Sequence, residues 1–265
     1  MRIAGIAVAI VLTGANIASS QVVVPATSDE PTVYAYCQQF QVLYTQIREQ
    51  SVLPDSARAQ FGAIMQGLQQ RYLSRPTQFT RHDSTQRDSL TRAGYFHFPL
   101  RHYGTTAIGG THGEGYRDTG FDLFDYTVRG SHPAQDIFIS DRNQNNLDDR
   151  TGAPVDVVSM SSGLVLAIET GWTPGQEFRG GNWIWVYDPV LHGLFYYAHN
   201  NVVSVAPGQW VSGGQKLSEV GRTGANAYKP RSPTHLHLMY LQLQPNGLPL
   251  PHNPYSWLLA AQAVE

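Results

Sequence analysis

The pattern of apolar positions divides the chain into a short helical part and a longer part rich in strands. Over residues 28–75, apolar side chains recur every three or four positions, which is the spacing of one face of an α-helix. Ser28 is a suitable N-cap and Pro31 a suitable first-turn residue for the first helix, whereas Pro54 begins the second helix and Pro76 ends it. The pattern therefore predicts a helical hairpin, followed by a polar linker.

From Tyr95 onward the period becomes that of β-strands. Short runs of β-branched and aromatic residues alternate with glycine-marked turns. The clearest runs are residues 136–139, 163–168, 183–187, 194–198, 202–205 and 235–243. We therefore predict an α+β fold, mainly β, in which an antiparallel β-sheet domain over residues 94–265 follows a helical N-terminal segment and linker over residues 21–93.

The first twenty residues have the features of a secretory signal peptide. Arg2 is followed by an apolar run of about ten residues, which is too short to span a bilayer. Ala18 and Ser20 are small residues at the positions that precede a cleavage site before Gln21. No later run reaches the length of a membrane span, so we expect a secreted or periplasmic protein.

The composition and charge of the chain argue against some classes of binding partner. The chain is 42% apolar and 14% charged, which favours a folded core over disorder. A formal net charge of -2 and only two lysines, Lys216 and Lys229, argue against nucleic-acid binding and against adhesion to anionic membranes. The single cysteine, Cys37, lies on the first helical stripe and is expected to be a small buried hydrophobe.

The most distinctive short pattern is the run THLHL at residues 234–238. Because side chains alternate along a strand, His235 and His237 share one face, and Leu236 and Leu238 share the other. Two adjacent imidazoles suit a metal or catalytic site, but the spacing alone favours a satisfied surface pair. The choice depends on partners elsewhere in the chain.

Three other side chains are candidate partners of this pair. His132 precedes Asp136 by four residues, at the start of an apolar run. His199 ends another run, where strand alternation puts it on the face of Phe195 and Tyr197. A catalytic zinc usually has three protein ligands and one open position, which this set is large enough to supply.

Taken in order, the patterns His-x-x-x-Asp, Tyr-Ala-His and His-x-His resemble the lysostaphin/LytM type of zinc metallopeptidase. The match extends beyond these residues. Residues 196–224, with their glycine-marked turns, are similar to the core hairpin of that family, and residues 231–238 are similar to its final active-site strand. The family typically has a glycine in the middle of the first motif, where this chain has Ala134.

The resemblance implies a fold, an activity and a role for each site residue. His132, Asp136 and His237 are expected to bind one zinc ion, and His199 and His235 to be catalytic. The sheet is expected to form the floor of an active-site groove. The implied function is that of a secreted zinc endopeptidase, which hydrolyses peptide bonds in the stem peptides or cross-bridges of bacterial peptidoglycan.

Two other functions remain open at this point. One is a non-catalytic LytM-like binding protein that activates cell-wall amidases, which missing ligands would favour. The other is a carbohydrate-binding or structural β protein with incidental histidines. The residues implied to be ligands are all present, which favours the enzyme.

A loop just after the first motif carries alternating oxygen donors. A calcium ion is one possibility there, but the loop lacks the glycine and the glutamate of a typical calcium-binding loop. An asparagine- and aspartate-rich turn accounts for the same pattern and is favoured. The four donor residues are Asp141, Asn143, Asn145 and Asp149.

Overall fold

The computed structural model of the protein describes residues 31–73, 94–127 and 130–265. The predicted signal peptide over residues 1–20 and the predicted linker lie outside these ranges. The proposed domain boundaries, at residues 20 and 93, stay predictions.

Two long helices open the described chain. Thr32 is the N-cap of the first helix, because its hydroxyl accepts a hydrogen bond from the backbone N–H of Ala35 at 3.1 Å. The helix therefore begins later than a cap at Ser28 would place it, and Pro31 precedes the cap. None of the helices in the described ranges has the length and apolarity that crossing a bilayer requires. The helices are α1 (Val33–Arg48), α2 (Pro54–Leu73) and the short α3 (Tyr255–Ala260).

In the described part of the chain, the strands form two antiparallel sheets. The strands are β1 (Ala134–Phe138), β2 (Asp156–Val158), β3 (Gly163–Glu169), β4 (Trp183–Asp188), β5 (Gly193–Ala198), β6 (Asn200–Val203), β7 (Trp210–Val211), β8 (Lys216–Val220), β9 (His235–Leu243) and β10 (Pro249–His252). The larger sheet has the order β1-β9-β5-β4-β3-β7, and β10 also pairs with β9; the smaller has the order β2-β8-β6.

The predicted fold class is confirmed, with a mainly antiparallel β fold behind a helical pair. Each of the six apolar runs forms a strand, although β1 and β6 each begin two residues earlier than predicted. Strands β2, β7, β8 and β10 have no strong signal in the sequence. They are short, and β10 contains two prolines, which depress strand propensity.

The larger sheet separates two hydrophobic cores. On one face of β9, Leu236, Leu238 and Tyr240 pack into a core shared with the smaller sheet. On the other face, Leu241 and Leu243 pack into a core shared with α1 and α2. Both faces of β9 are therefore buried over most of its length.

Helix α1 lies against β3 and the neighbouring strands. The buried Sγ of Cys37 donates to the carbonyl oxygen of Val165 at 3.6 Å, and the side-chain oxygen of Gln41 accepts from the N–H of Ile168 at 2.9 Å. Cys37 is thus the small buried hydrophobe that its position predicted. Burial raises the pKa of its thiol to about 11, so the thiol stays protonated near neutral pH.

Aromatic side chains fill the space between α1 and the sheet. The ring of Tyr44 meets the rings of Trp183 and Trp185 edge to face, at centroid distances of 4.9 and 5.4 Å. Phe40 meets Trp185 in the same way at 6.0 Å. Such pairs contribute roughly 0.5–1.5 kcal/mol each beyond the burial of their surface, so the helix is firmly held.

Asp188 is a fully buried carboxylate at the end of β4. It accepts hydrogen bonds from the N–H groups of Val190 and Leu191 at 2.8 and 2.9 Å, which closes the turn into β5. The hydroxyls of Tyr95 and Ser161 donate to its other oxygen at 2.9 and 2.6 Å. Burial nevertheless raises its pKa to about 6, against the lowering effect of these bonds.

Replacing Asp188 should change how stability depends on pH. The carboxyl has a pKa of about 4 in an unfolded chain, so between that value and its folded pKa the native state binds more protons. Its contribution to stability is therefore fully present below the unfolded pKa and is lost as pH rises through the folded pKa. Urea denaturation over this range should show wild type losing stability relative to Asp188→Asn as pH rises. Parallel curves for the two proteins would contradict this expectation.

Candidate metal centre

The register between β1 and β9 positions the central residues. Asp136 lies opposite His237 across this antiparallel pair, and Phe138 lies opposite His235. On the other side of β9, Ala198 pairs with His237. The two histidines share one face, as predicted, while Leu236 and Leu238 are buried on the other. Directly opposed residues in such a pair have their Cβ atoms about 5 Å apart, which brings Asp136 and His237 into contact.

Three side chains converge here as a potential ligand set. The Oδ1 atom of Asp136 is 3.2 Å from Nε2 of His132 and 3.1 Å from Nδ1 of His237. The three donor atoms all lie within 4.8 Å of one another. A tetrahedral zinc with bonds of 2.0–2.1 Å spaces its ligands about 3.3 Å apart, so this set of two nitrogens and one carboxylate oxygen fits the ion.

One side of the cluster is open to the cleft. The side chains of His132, Asp136 and His237 are 21%, 26% and 19% exposed. Structural zinc sites are closed by four protein ligands, whereas catalytic sites have three and leave one position for water or substrate. The partial exposure of this three-residue set is therefore typical of a catalytic centre.

Contacts with neighbouring backbone groups orient the ring of His132. Its Nδ1 lies 2.8 Å from the carbonyl oxygen of Gly115, and its backbone exchanges two hydrogen bonds with that of Arg117. Donation of the Nδ1 proton to this carbonyl leaves Nε2 free to face Asp136. Carbonyl groups in this position commonly fix the tautomer and the ring angle of a metal-binding histidine.

His199 and His235 lie beside the cluster and face each other, with ring centroids 4.8 Å apart. The Nδ1 atom of His199 is 2.8 Å from the carbonyl oxygen of Thr223, and that of His235 is 2.7 Å from the carbonyl oxygen of Pro233. If each Nδ1–H donates to its carbonyl, each Nε2 keeps its lone pair. Nε2 of His235 is 3.8 Å from Oδ1 of Asp136, at the edge of the donor set.

The prediction that His199 shares a face with Phe195 and Tyr197 is wrong. Those two rings lie in the core on the far side of the sheet, whereas His199 lines the cleft, 5.6 Å from the ring of His237. The reason is local: β5 ends at Ala198, and His199 has a left-handed backbone with φ of 68°. Strand alternation ends there, and the turn of the backbone brings the imidazole to the other face.

A glycine keeps the carbonyl of Thr223 against His199. Gly224 has φ of 109°, a conformation that L side chains rarely adopt. A Cβ added there would collide with the carbonyl oxygen of Arg179 and would lie 3.0 Å from Nδ1 of His199. The glycine-marked turn in the sequence therefore supports the orientation of a candidate catalytic side chain.

The local electrostatics favour an ionised Asp136 and neutral imidazoles at His199 and His237. Burial raises the pKa of Asp136, but hydrogen bonds from His132 and His237 outweigh it and hold this pKa well below its usual range. Burial, reinforced by the neighbouring imidazoles, lowers the pKa of His199 well below its usual value, and burial also lowers that of His237. Neutral imidazoles are the forms that bind a metal or accept a proton.

Ala134, which stands where the resembled family has glycine, needs no special backbone. It lies inside β1, is fully buried, and has no positive φ. The departure from the family pattern is therefore accommodated by an ordinary strand.

All five predicted site residues line one cleft of about 480 Å³. The walls include side chains that no sequence pattern indicated. Tyr44 comes from α1, Tyr196 and Met239 come from the sheet, and the segment 121–126 forms a further wall. The helical spacing of apolar residues indicates that Tyr44 lies on a packed face, but it does not indicate which side chains Tyr44 contacts.

In the loop after β1, carboxylate oxygens accept hydrogen bonds from backbone N–H groups of the loop itself. The carboxylate of Asp141 accepts from the N–H groups of Asn145 and Asn146 at 3.0 and 2.9 Å and from the hydroxyl of Thr234 at 2.7 Å. Asp149 accepts from the N–H of Arg142 at 3.1 Å. These contacts fit the favoured turn, and calcium binding stays a prediction.

The chain was compared with known proteins. Residues 145–249 match the model of the family described as Peptidase family M23. This range contains His199, His235 and His237 and begins after His132 and Asp136. The match confirms the resemblance to lysostaphin/LytM-type peptidases that the sequence motifs predicted. A comparison with curated proteins gave no match.

Several solved structures are similar to the chain. Lysostaphin from Staphylococcus simulans is 23% identical over 54% of this chain and 48% of its own, with a TM-score of 0.35, so this chain spans about half its length. A putative glycyl-glycine endopeptidase lytM from Ruminococcus gnavus is 19% identical, with coverages of 88% and 97% and a TM-score of 0.44. A zinc-containing peptidase from Vibrio cholerae is 19% identical, with coverages of 59% and 38% and a TM-score of 0.35. With TM-scores below 0.5, none of these likenesses bears on the function of this chain.

Removing a candidate ligand should weaken metal binding. We expect wild type to bind one zinc ion per chain, and Asp136→Ala or His237→Ala to lose at least about 100-fold in affinity, since even outer-shell changes cost roughly 10–100-fold. Competition with a chromophoric chelator measures the affinity, and elemental analysis measures the stoichiometry. His112→Ala, an exposed histidine outside the cleft, is the matched control. Unchanged affinity in His237→Ala would remove His237 from the ligand set.

Proposed function

We propose that this protein, whose residues 145–249 match peptidase family M23, is a zinc-dependent endopeptidase that hydrolyses peptide bonds in bacterial peptidoglycan. The observation that carries this proposal is the convergence of the five side chains in one cleft. His132, Asp136 and His237 supply donor atoms at ligand spacing, and His199 and His235 lie next to them with their Nδ1 atoms at backbone carbonyls.

The donor set would hold the zinc ion through Nε2 of His132, Oδ1 of Asp136 and Nδ1 of His237. Bound there, zinc supplies Lewis acidity, which activates water near neutral pH and polarises a carbonyl oxygen. The single carboxylate leaves the centre with a net positive charge, which favours both effects.

The two remaining histidines, His199 and His235, transfer the protons and stabilise the developing negative charge during hydrolysis. One imidazole takes the proton of the attacking water through its free Nε2 and passes it to the leaving amine. The other takes up a proton from solvent at its Nε2 and then donates a hydrogen bond to the oxygen that becomes negative as the peptide carbonyl is attacked. The carbonyls of Thr223 and Pro233 hold both rings in place, so little reorganisation is needed during the reaction.

The shape of the site suits a peptide. An extended backbone can lie in the cleft between the segment 121–126 and the sheet. We also propose that the protein acts outside the cytoplasm, as a secreted or periplasmic enzyme, on the basis of the signal-like residues 1–20. Peptidoglycan peptides are the substrate class that the resemblance to lysostaphin/LytM-type enzymes suggests.

The alternative of a non-catalytic amidase activator has less support. Such a protein has no need of a metal ligand set. Here each of the three donor positions and both neighbouring imidazoles are filled and oriented.

Hydrolysis should depend separately on the ligands and on the two other histidines. With purified peptidoglycan, wild type should release fragments with new amino termini, which mass spectrometry detects. His199→Ala and His235→Ala should retain zinc but lose roughly 10²–10⁴-fold in rate, the usual contribution of a general acid or base. His237→Ala should lose both zinc and activity.

A chelator should abolish the activity of wild type, and added zinc should restore it. His112→Ala again serves as the control and should match wild type. Identical fragments and rates from wild type and His235→Ala would show that His235 is not catalytic. Absence of cleavage by zinc-loaded wild type on every wall preparation tried would exclude the peptidase function.

A further inference from the structure

The face of the sheet that carries the candidate site is not open along its whole length. Along β9, His235 and His237 face the cleft, whereas Leu241 and Leu243 on the same face are 0% and 3% exposed beneath the helices. Met239 lies at the boundary, since it both lines the cleft and belongs to that core. The cleft therefore ends where α1 and α2 begin.

Tyr44 of α1 is the side chain at this end. It is 7% exposed and packs on the buried indoles of Trp183 and Trp185, yet its ring also lines the cleft. The ring of Tyr196, on the sheet, neighbours both Tyr44 and the metal cluster, with ring centroids 6.4 Å from Tyr44 and 6.3 Å from His237. A phenol ring that is held on two sides in this way forms a fixed end wall.

Helix α2 holds the neighbouring side wall. The guanidinium of Arg58 forms an ion pair with Asp122 and lies over the ring of Phe124 at 5.3 Å, and Phe61 meets the same ring at 5.4 Å. Leu123, between those two residues, lines the cleft and shares the core with Tyr44. The two helices together thus close one end of the cleft.

The distances limit what fits between the metal centre and this wall. The ring of Tyr44 is no more than about 13 Å from that of His237, and an extended peptide spans about 3.3 Å per residue. Contact distances of about 3.5 Å at each end leave room for at most about two residues. Four of the lining side chains at this end, Tyr44, Leu123, Tyr196 and Met239, are apolar apart from two hydroxyls, which favours a small uncharged side chain there.

We propose that Tyr44 is a specificity-determining residue, which limits the substrate to peptides that extend about two residues from the scissile bond on one side. This inference rests on the proposed peptidase function. The enzyme would then cleave bonds that lie close to the end of a peptide or to the end of a short branch. On the other side of the scissile bond, the substrate can be long. The last residue on the short side is small and apolar.

The substrate profile of wild type is the first test. Peptides built around the bond that is cleaved in peptidoglycan are lengthened stepwise with alanine on either side, and kcat/KM is measured for each. We expect tolerance of long extensions on one side. On the other side, kcat/KM should fall at least about tenfold beyond two residues, equivalent to about 1.4 kcal/mol. This measurement uses the wild-type protein alone and requires no variant.

The second test uses Tyr44→Leu, which shortens the wall and keeps an apolar side chain in the core. The ratio of kcat/KM for the longer peptides over the short ones should rise about tenfold or more. Phe40→Leu is the matched control, because Phe40 is equally buried on α1 and meets Trp185 but does not line the cleft. It should lower the melting temperature by a similar amount and leave the ratio unchanged.

The outcomes separate this inference from the proposed function. If wild type cleaves no peptide and no peptidoglycan, the peptidase function fails, and the inference fails with it. If wild type cleaves peptides that are long on both sides as fast as short ones, the inference alone is overturned. An equal rise of the ratio in Tyr44→Leu and Phe40→Leu would likewise overturn it, because general loosening of the helix would then explain the effect.

Discussion

Asp136 faces His237 across the antiparallel pair of β1 and β9, and the arrangement of the cleft depends on that register. A slip of one residue would turn Asp136 toward the opposite core and leave the imidazole without its carboxylate. The register is strongly enforced, because Leu236 and Leu238 are fully buried on the other face. The hydrophobic pattern of a single strand thus keeps the carboxylate of Asp136 beside the imidazole of His237.

The same sheet face serves two purposes. At one end of this face, polar side chains line the cleft, and at the other end α1 and α2 pack on the sheet. The division lies at Met239 and Tyr196, where the residues that line the cleft also belong to the core. Packing and recognition are consequently coupled here: the aromatic contacts that hold α1 in place also determine where the cleft stops.

Much of this arrangement is predictable from sequence, because it follows from short-range periodicity and from ordered motifs. The strand pattern predicted the fold, and the three motifs singled out five residues that the structure brings together in one cleft. The face of His199 was not predictable by alternation, since one left-handed backbone angle reverses it. The carbonyls of Thr223 and Pro233 and the position of Tyr44 depend on contacts between distant segments, and backbone groups carry no residue-specific signal.

The contact between Cys37 and Val165 joins residues 128 positions apart in the chain. A ribosome therefore completes α1 long before it has made the strands on which this helix rests. Native contacts of such large sequence separation form slowly, because a long loop must close first. The segment that forms the end wall of the cleft is thus synthesised before the strands on which it packs, and its native contacts cannot form until those strands exist.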